Sequence, residues 1–184
     1  MLIIPGIIAS SQYVAKGDYE SIATVTVGAG GSSSVEFTSI PSTYKHLQIR
    51  GIVKMSNAGQ YPLMRLNGST STIYNGHLIS CDGSTVIAYG YSSGTNTFLD
   101  WMCGGGNSSS TGYSAFVTDI LDYTNTNKYR TLRSLAGLDL NGSGQVFLAS
   151  GLFQSTTAIS SITMYPSSNT FSEHSHFALY GVKG

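Results

Sequence analysis

The chain has 184 residues, enough for one domain with a real core and short for two. Only 10% of residues are charged, against roughly 25% in an ordinary globular protein, and the formal net charge is zero. Neutrality excludes the electrostatic footprint of a nucleic-acid or anionic-membrane binder, and it leaves little self-repulsion to oppose association.

The opening "MLIIPGIIASSQY" is apolar but lacks a basic lead-in, and Pro5 and Gly6 interrupt it before the length of a signal or membrane-spanning segment. It is expected to be made and kept soluble without export. Residues 1–19 are assigned as an apolar N-terminal arm, with two readings. It is an extra edge strand on the domain's own core, or it docks on another subunit through Ile3, Ile4, Pro5, Ile7 and Ile8. Residues 20–184 are expected to form a single domain.

From there strand patterns dominate, and no window of a dozen residues sustains a helical period. "ESIATVTV" ends at the flexible "GAGG". "SVEFTSI" alternates, placing Val35 and Phe37 on one face and Glu36 and Thr38 on the other. In "KHLQIRGIV", Leu47, Ile49 and Val53 point inward while His46, Gln48 and Arg50 point out, and Pro41 sits between the two strands where its missing N–H does no harm. "YPLMRL" runs into Asn67-Gly68 and "TIYNGHLIS" into Asp82-Gly83, both strong turn pairs. "TVIAYGY", "NTFLDWMC", "YSAFVTDILDY", "KYRTLRSLAGLDL", "QVFLASGLF", "AISSITMY" and "SHFALYGVKG" follow, with a Gly/Ser loop at 104–112 and the Asn141-Gly142 turn between them. Roughly ten or more strands at a spacing of about 8–14 residues predict an all-β fold, an antiparallel β-sandwich that is jelly-roll-like with an N-terminal extended arm.

Candidate chemistry is sparse. Asp119 and Asp122 in "TDILDY" are three apart, so on a strand they face opposite sides and cannot flank a sugar as a glycosidase pair does. Asp122 is read as a strand-end turn residue. His174 and His176 are spaced to share one strand face, but a metal site needs a third ligand that only His46 or His77 could bring. Cys81 and Cys103 have no metal-ligand spacing and read as two free buried thiols. Asn67, Asn107 and Asn141 match the glycosylation pattern; the two followed by glycine read as turns. No serine sits in a nucleophile elbow, and the Gly-rich stretches lack a phosphate-binding lysine and helix. Trp101 and the 12 tyrosines could stack on sugars as in lectins, or serve core and inter-subunit packing. No catalytic residue, metal or cofactor is expected, and the chain is not expected to be an enzyme.

"SIPSTYKHLQIRG" (39–51), "FVTDILDYTNTNKYRTLRSLAGLDLNGSG" (116–144), "SSITMYPSSNTFSEHSHFALYGVKG" (160–184) and the opening "PGIIASS" resemble virion structural proteins of tailed bacteriophages, of cyanophage and marine-phage type. The likeness spans nearly the whole chain, rests on strands and turns, and carries no functional residues with it. "SEHSHFALYG" is richer in histidine than that group's pattern. The resemblance implies a particle component with a β-sandwich fold and does not choose between head and tail. The leading expectation is a capsid decoration (cement) protein on the virion surface, bridging capsomers, with the major capsid protein as partner and a homotrimer as the assembly. The alternative is a tail-fibre or adhesin module that meets tail proteins and reads host glycans. Neither needs nucleic acid or a membrane. In this reading the 39–51 stretch is a corner and a core strand, and Arg50 is one of few charges available for an inter-subunit contact.

Overall fold

The computed structural model describes residues 17–57, 59–103 and 112–184, and among them there is no helix. Twelve strands form: β1 (Tyr19–Thr26), β2 (Val35–Phe37), β3 (His46–Val53), β4 (Pro62–Leu66), β5 (Tyr74–Cys81), β6 (Val86–Tyr91), β7 (Leu99–Asp100), β8 (Ser114–Ile120), β9 (Arg130–Asp139), β10 (Gly144–Phe153), β11 (Ile162–Pro166) and β12 (His176–Val182). All pair antiparallel, in an eight-stranded sheet ordered β1-β12-β3-β8-β9-β10-β5-β6 and a four-stranded sheet ordered β2-β11-β4-β7.

The period-2 patterns decide which residues meet between the sheets. Leu47, Ile49, Val53, Phe177 and Leu179 from the large sheet are fully buried, as are Met64, Leu66, Ile162 and Met164 from the small one. Phe177 sits between Phe171, 5.1 Å away, and Phe116, 6.0 Å away, in tilted ring contacts. Val35 and Phe37 are buried with Glu36 exposed, as their alternation predicts.

The large sheet is twice as wide as its partner. The segment Leu99–Cys103 covers part of the surplus. Trp101 has φ 60, which turns the chain out of the β7 ladder after two residues, so "NTFLDWMC" makes a much shorter strand than its apolar run suggests. Its indole is stacked between Tyr61 and Phe147, at 4.9 and 5.3 Å. The Met102 carbonyl accepts from the hydroxyls of Thr118 and Ser134 on the neighbouring strands.

Two turns show why their residues are needed. Asn141-Gly142 joins β9 to β10 with φ 57 and 104, a left-handed pair that asparagine tolerates and glycine favours. Asn67, at φ 52, also uses its side chain: Oδ1 accepts from the Ser160 and Ser161 amides and Nδ2 donates to the Ala158 carbonyl, tying the end of β4 to the loop before β11. The 39–51 stretch is the expected corner and core strand. Ile40 is buried and donates its amide to Ser160, and the Pro41 carbonyl accepts the Tyr123 hydroxyl.

Candidate interaction surface

The sequence-predicted residues do not converge. Ile3, Ile4, Pro5, Ile7 and Ile8 lie outside the described residues, as does Asn107. Asp122 is a turn residue at φ 47, with Lys45 Nζ 3.1 Å from one carboxylate oxygen and Lys128 Nζ against the other. These two ammonium groups, Lys128 foremost, hold its carboxyl down to about 2. Asp119 points from the outer face of β8 instead, accepting from Gln48 Nε2 at 2.7 Å and Arg133 Nε at 2.9 Å. The two histidines do not share a strand face. His174 precedes β12 in a left-handed conformation at φ 67, next to Ser175, whose hydroxyl donates to the Lys54 carbonyl, and only His176 is on the strand. Among the described residues, no three His, Cys, Asp or Glu side chains gather to hold a metal ion. Cys81 and Cys103 are both free; Cys103 is buried as expected, while Cys81 is half-buried.

Arg50 is exposed on the outer face of β3 and has partners within the chain. Its guanidinium lies over the rings of Tyr19 at 4.9 Å and Tyr180 at 5.1 Å, and its Nε donates to Gln48 Oε1 at 2.5 Å. Through Gln48 and Asp119 it joins Arg133, so a chain of polar contacts crosses β3, β8 and β9 on the outer face. Partners distant in sequence occupy this side chain.

What the fold does assemble is an apolar face. Ladder register aligns outward side chains of neighbouring strands into rows. One row runs Arg50–Val117–Leu135–Leu148–Ile79–Ala88 across six strands. The next runs Ile52–Ala115–Gly137–Val146–Cys81–Val86. From β8 to β6 neither row contains a charge. Leu135, Leu148, Val146 and Ile79 are each more than half exposed, so these are large aliphatic groups facing solvent over a continuous area. Scattered exposed leucines are ordinary; a contiguous patch is a mark of an interaction site. On one side the patch is bordered by the row Gln48–Asp119–Arg133–Ser150–His77.

The face is shallowly grooved. A groove of about 580 Å³ lies over β10, β5 and β6, with Leu148, Ile79 and Ala88 on its floor and His77, Arg133 and Ser150 along one wall. A second, of about 410 Å³, lies over Ala115, Val117, Leu135 and Val146. On the opposite, inner side of the large sheet, Asp100 is buried and its carboxyl is raised by that burial, but its amide donates to the Tyr91 hydroxyl and Trp101 closes over it. That carboxyl is part of the packing under the widened sheet.

Sequence reasoning missed the face, although a signal was present. In "QVFLASGLF" Phe147, Ala149 and Phe153 are buried, while Val146 and Leu148 are apolar at the other parity. Apolar residues at both parities of a strand signal a sheet covered on two sides. Comparison with protein-family models, curated proteins and solved structures finds no match for this chain.

Proposed function

We propose that this chain is a non-catalytic structural subunit of a phage particle, most specifically a capsid decoration protein that strengthens the head by bridging capsomers. The observation that carries the reading is the uncharged apolar face of the eight-stranded sheet, a surface suited to being covered. The strand order adds support. The reading takes β1-β12-β3-β8 and β2-β11-β4-β7 as the two sheets of a jelly-roll-like sandwich, with the β5–β6 and β9–β10 hairpins widening one of them. Jelly rolls recur in capsid components and in lectins, so the fold alone does not choose between them. In this reading the apolar arm, Ile3, Ile4, Pro5, Ile7 and Ile8, provides the contact to the major capsid protein.

The test is the copy number of the protein in purified virions, together with particle binding by protein lacking residues 1–12. A copy number comparable to that of the major capsid protein is expected. β1 begins at Tyr19, so the truncated chain keeps all twelve strands. Loss of even two docked isoleucines, at roughly 1.5–3 kcal/mol each, weakens binding by about two to four orders of magnitude. A few copies confined to the tail would overturn the head assignment. They would favour a second reading, a glycan-binding tail module, for which the groove walled by His77, Arg133 and Ser150 is the specific observation. Binding of the purified protein to host-surface polysaccharide checks that alternative.

A further inference from the structure

We propose that the outer face of the eight-stranded sheet packs against the same face of a second copy of this chain, as a two-fold, sheet-on-sheet dimer. The inference rests on reading that face as an assembly surface, and it names what covers it.

Size is the first argument. Eight strands about 4.8 Å apart, each running about seven residues at roughly 3.3 Å, make a whole sheet face of about 35 by 23 Å, or about 800 Å², with the charge-free rows over the five strands from β8 to β6. A stable interface of standard size buries about 800 Å² on each partner. The layout also fits, since such interfaces have an apolar centre and a polar rim. Here Leu135 and Leu148 stand directly opposite each other at the centre, next to Ile79 and Val146. Ala115 and Gly137 beside them keep the surface low, as two sheets meeting about 10 Å apart require.

Charge selects the partner. The rim carries Asp119 and Arg133 side by side, so it presents both signs, and a strongly basic or acidic partner finds no complementary field. A second copy brings the same internally paired, neutral rim, and two chains of zero formal charge do not repel. A face that meets itself closes at two copies. This differs from the homotrimer expected from the sequence reading. It also gives the decoration reading a simple bridge, one dimer carrying two arms.

The mass of the full chain, measured by sedimentation or light scattering across the micromolar range, tests the inference. A species of twice the 19.4 kDa chain mass is expected. Leu148→Glu sets two like charges into the centre of the dimer and should raise its dissociation constant at least about a hundredfold, with melting of the separated chain unchanged. Val146→Glu, on the same strand, serves if the first variant does not fold. Thr163→Glu, on the small sheet, should leave the dimer intact. A wild-type monomer throughout, a trimer, or a dimer that survives both face variants overturns the proposal. So does a monomer whose face variants lose particle binding, since the face then belongs to the particle. A dimer that dissociates as expected but binds no phage head keeps this inference and removes the decoration reading.

Discussion

Replacing Arg130 with methionine should destabilise the fold more than any surface substitution, although Arg130 is one of only nine Lys and Arg residues in the chain. Its side chain has no exposed surface. Nε donates to the Tyr123 carbonyl at 3.0 Å, Nη1 to the Lys128 carbonyl, and Nη2 to the carbonyls of Thr156 and Thr157 at 3.1 and 3.3 Å. One guanidinium therefore ties the β8–β9 connection to the β10–β11 connection. Burial lowers its pKa, with Asp122 opposing that shift through space, but an arginine stays charged at any working pH. Methionine fills part of the volume and donates nothing, so the Lys128, Thr156 and Thr157 carbonyls lose this donor together, while the Tyr123 carbonyl keeps the Ile159 amide. Hydrogen bonds to a charged group contribute about 1.5–3 kcal/mol each, and an orphaned carbonyl at the loop surface can rewet; together these give a loss of about 3–5 kcal/mol. At this chain length about 2–4 °C of melting temperature goes with each kcal/mol, so the variant should melt roughly 6–20 °C lower. The assay is thermal and urea unfolding at matched protein concentration, with Arg130→Lys as a partial rescue. A methionine variant melting within about 2 °C of wild type would refute the reasoning and mean that the loops are held by something else.

Asp122 should govern the acid limb of stability. Its carboxyl is held down to about 2 in the fold, so the contribution is fully present above the ordinary carboxylate range and is lost as pH falls through about 2. Asp122→Asn should flatten the melting profile between pH 4 and 2 relative to wild type, as calorimetry across that range would show. Gly51→Ala would set a methyl 2.3 Å from the His176 carbonyl oxygen and 2.9 Å from the Phe116 ring. Overpacking of this kind costs about 1–3 kcal/mol, read as a lower urea midpoint with unchanged slope.

The strands were legible because their inward residues alternate cleanly: Val35 and Phe37 on β2, or Leu47, Ile49 and Val53 on β3. The Asn-Gly turns were legible because few other pairs accept two left-handed residues. The pairing order was not, since β1 closes on β12 from the far end of the chain and no local pattern encodes that partner. Arg130 was equally hidden. "KYRTLR" shows two arginines at one spacing, yet Arg130 is buried among carbonyls while Arg133 is exposed beside Asp119. The contacts of Arg50 were hidden because the rings that sandwich it, Tyr19 and Tyr180, lie far from it in sequence. His174 looked like a strand residue because a left-handed histidine leaves no mark in the pattern.

The pairing of β1 with β12 also governs when this protein can fold. Among the described residues β1 is an edge strand whose only ladder partner is β12, and β3 gains one of its two partners from that same strand. During synthesis β1 therefore emerges without that partner until β12 has followed it. Topologies dominated by such distant pairings fold in milliseconds to seconds, and unpaired strands are exposed to neighbouring chains in that interval. A chain stopped short of residue 176 lacks β12, the strand that joins β1 to the rest of the large sheet. Arrival of β12, more than nucleation at any local turn, is what lets the edge of the sandwich form.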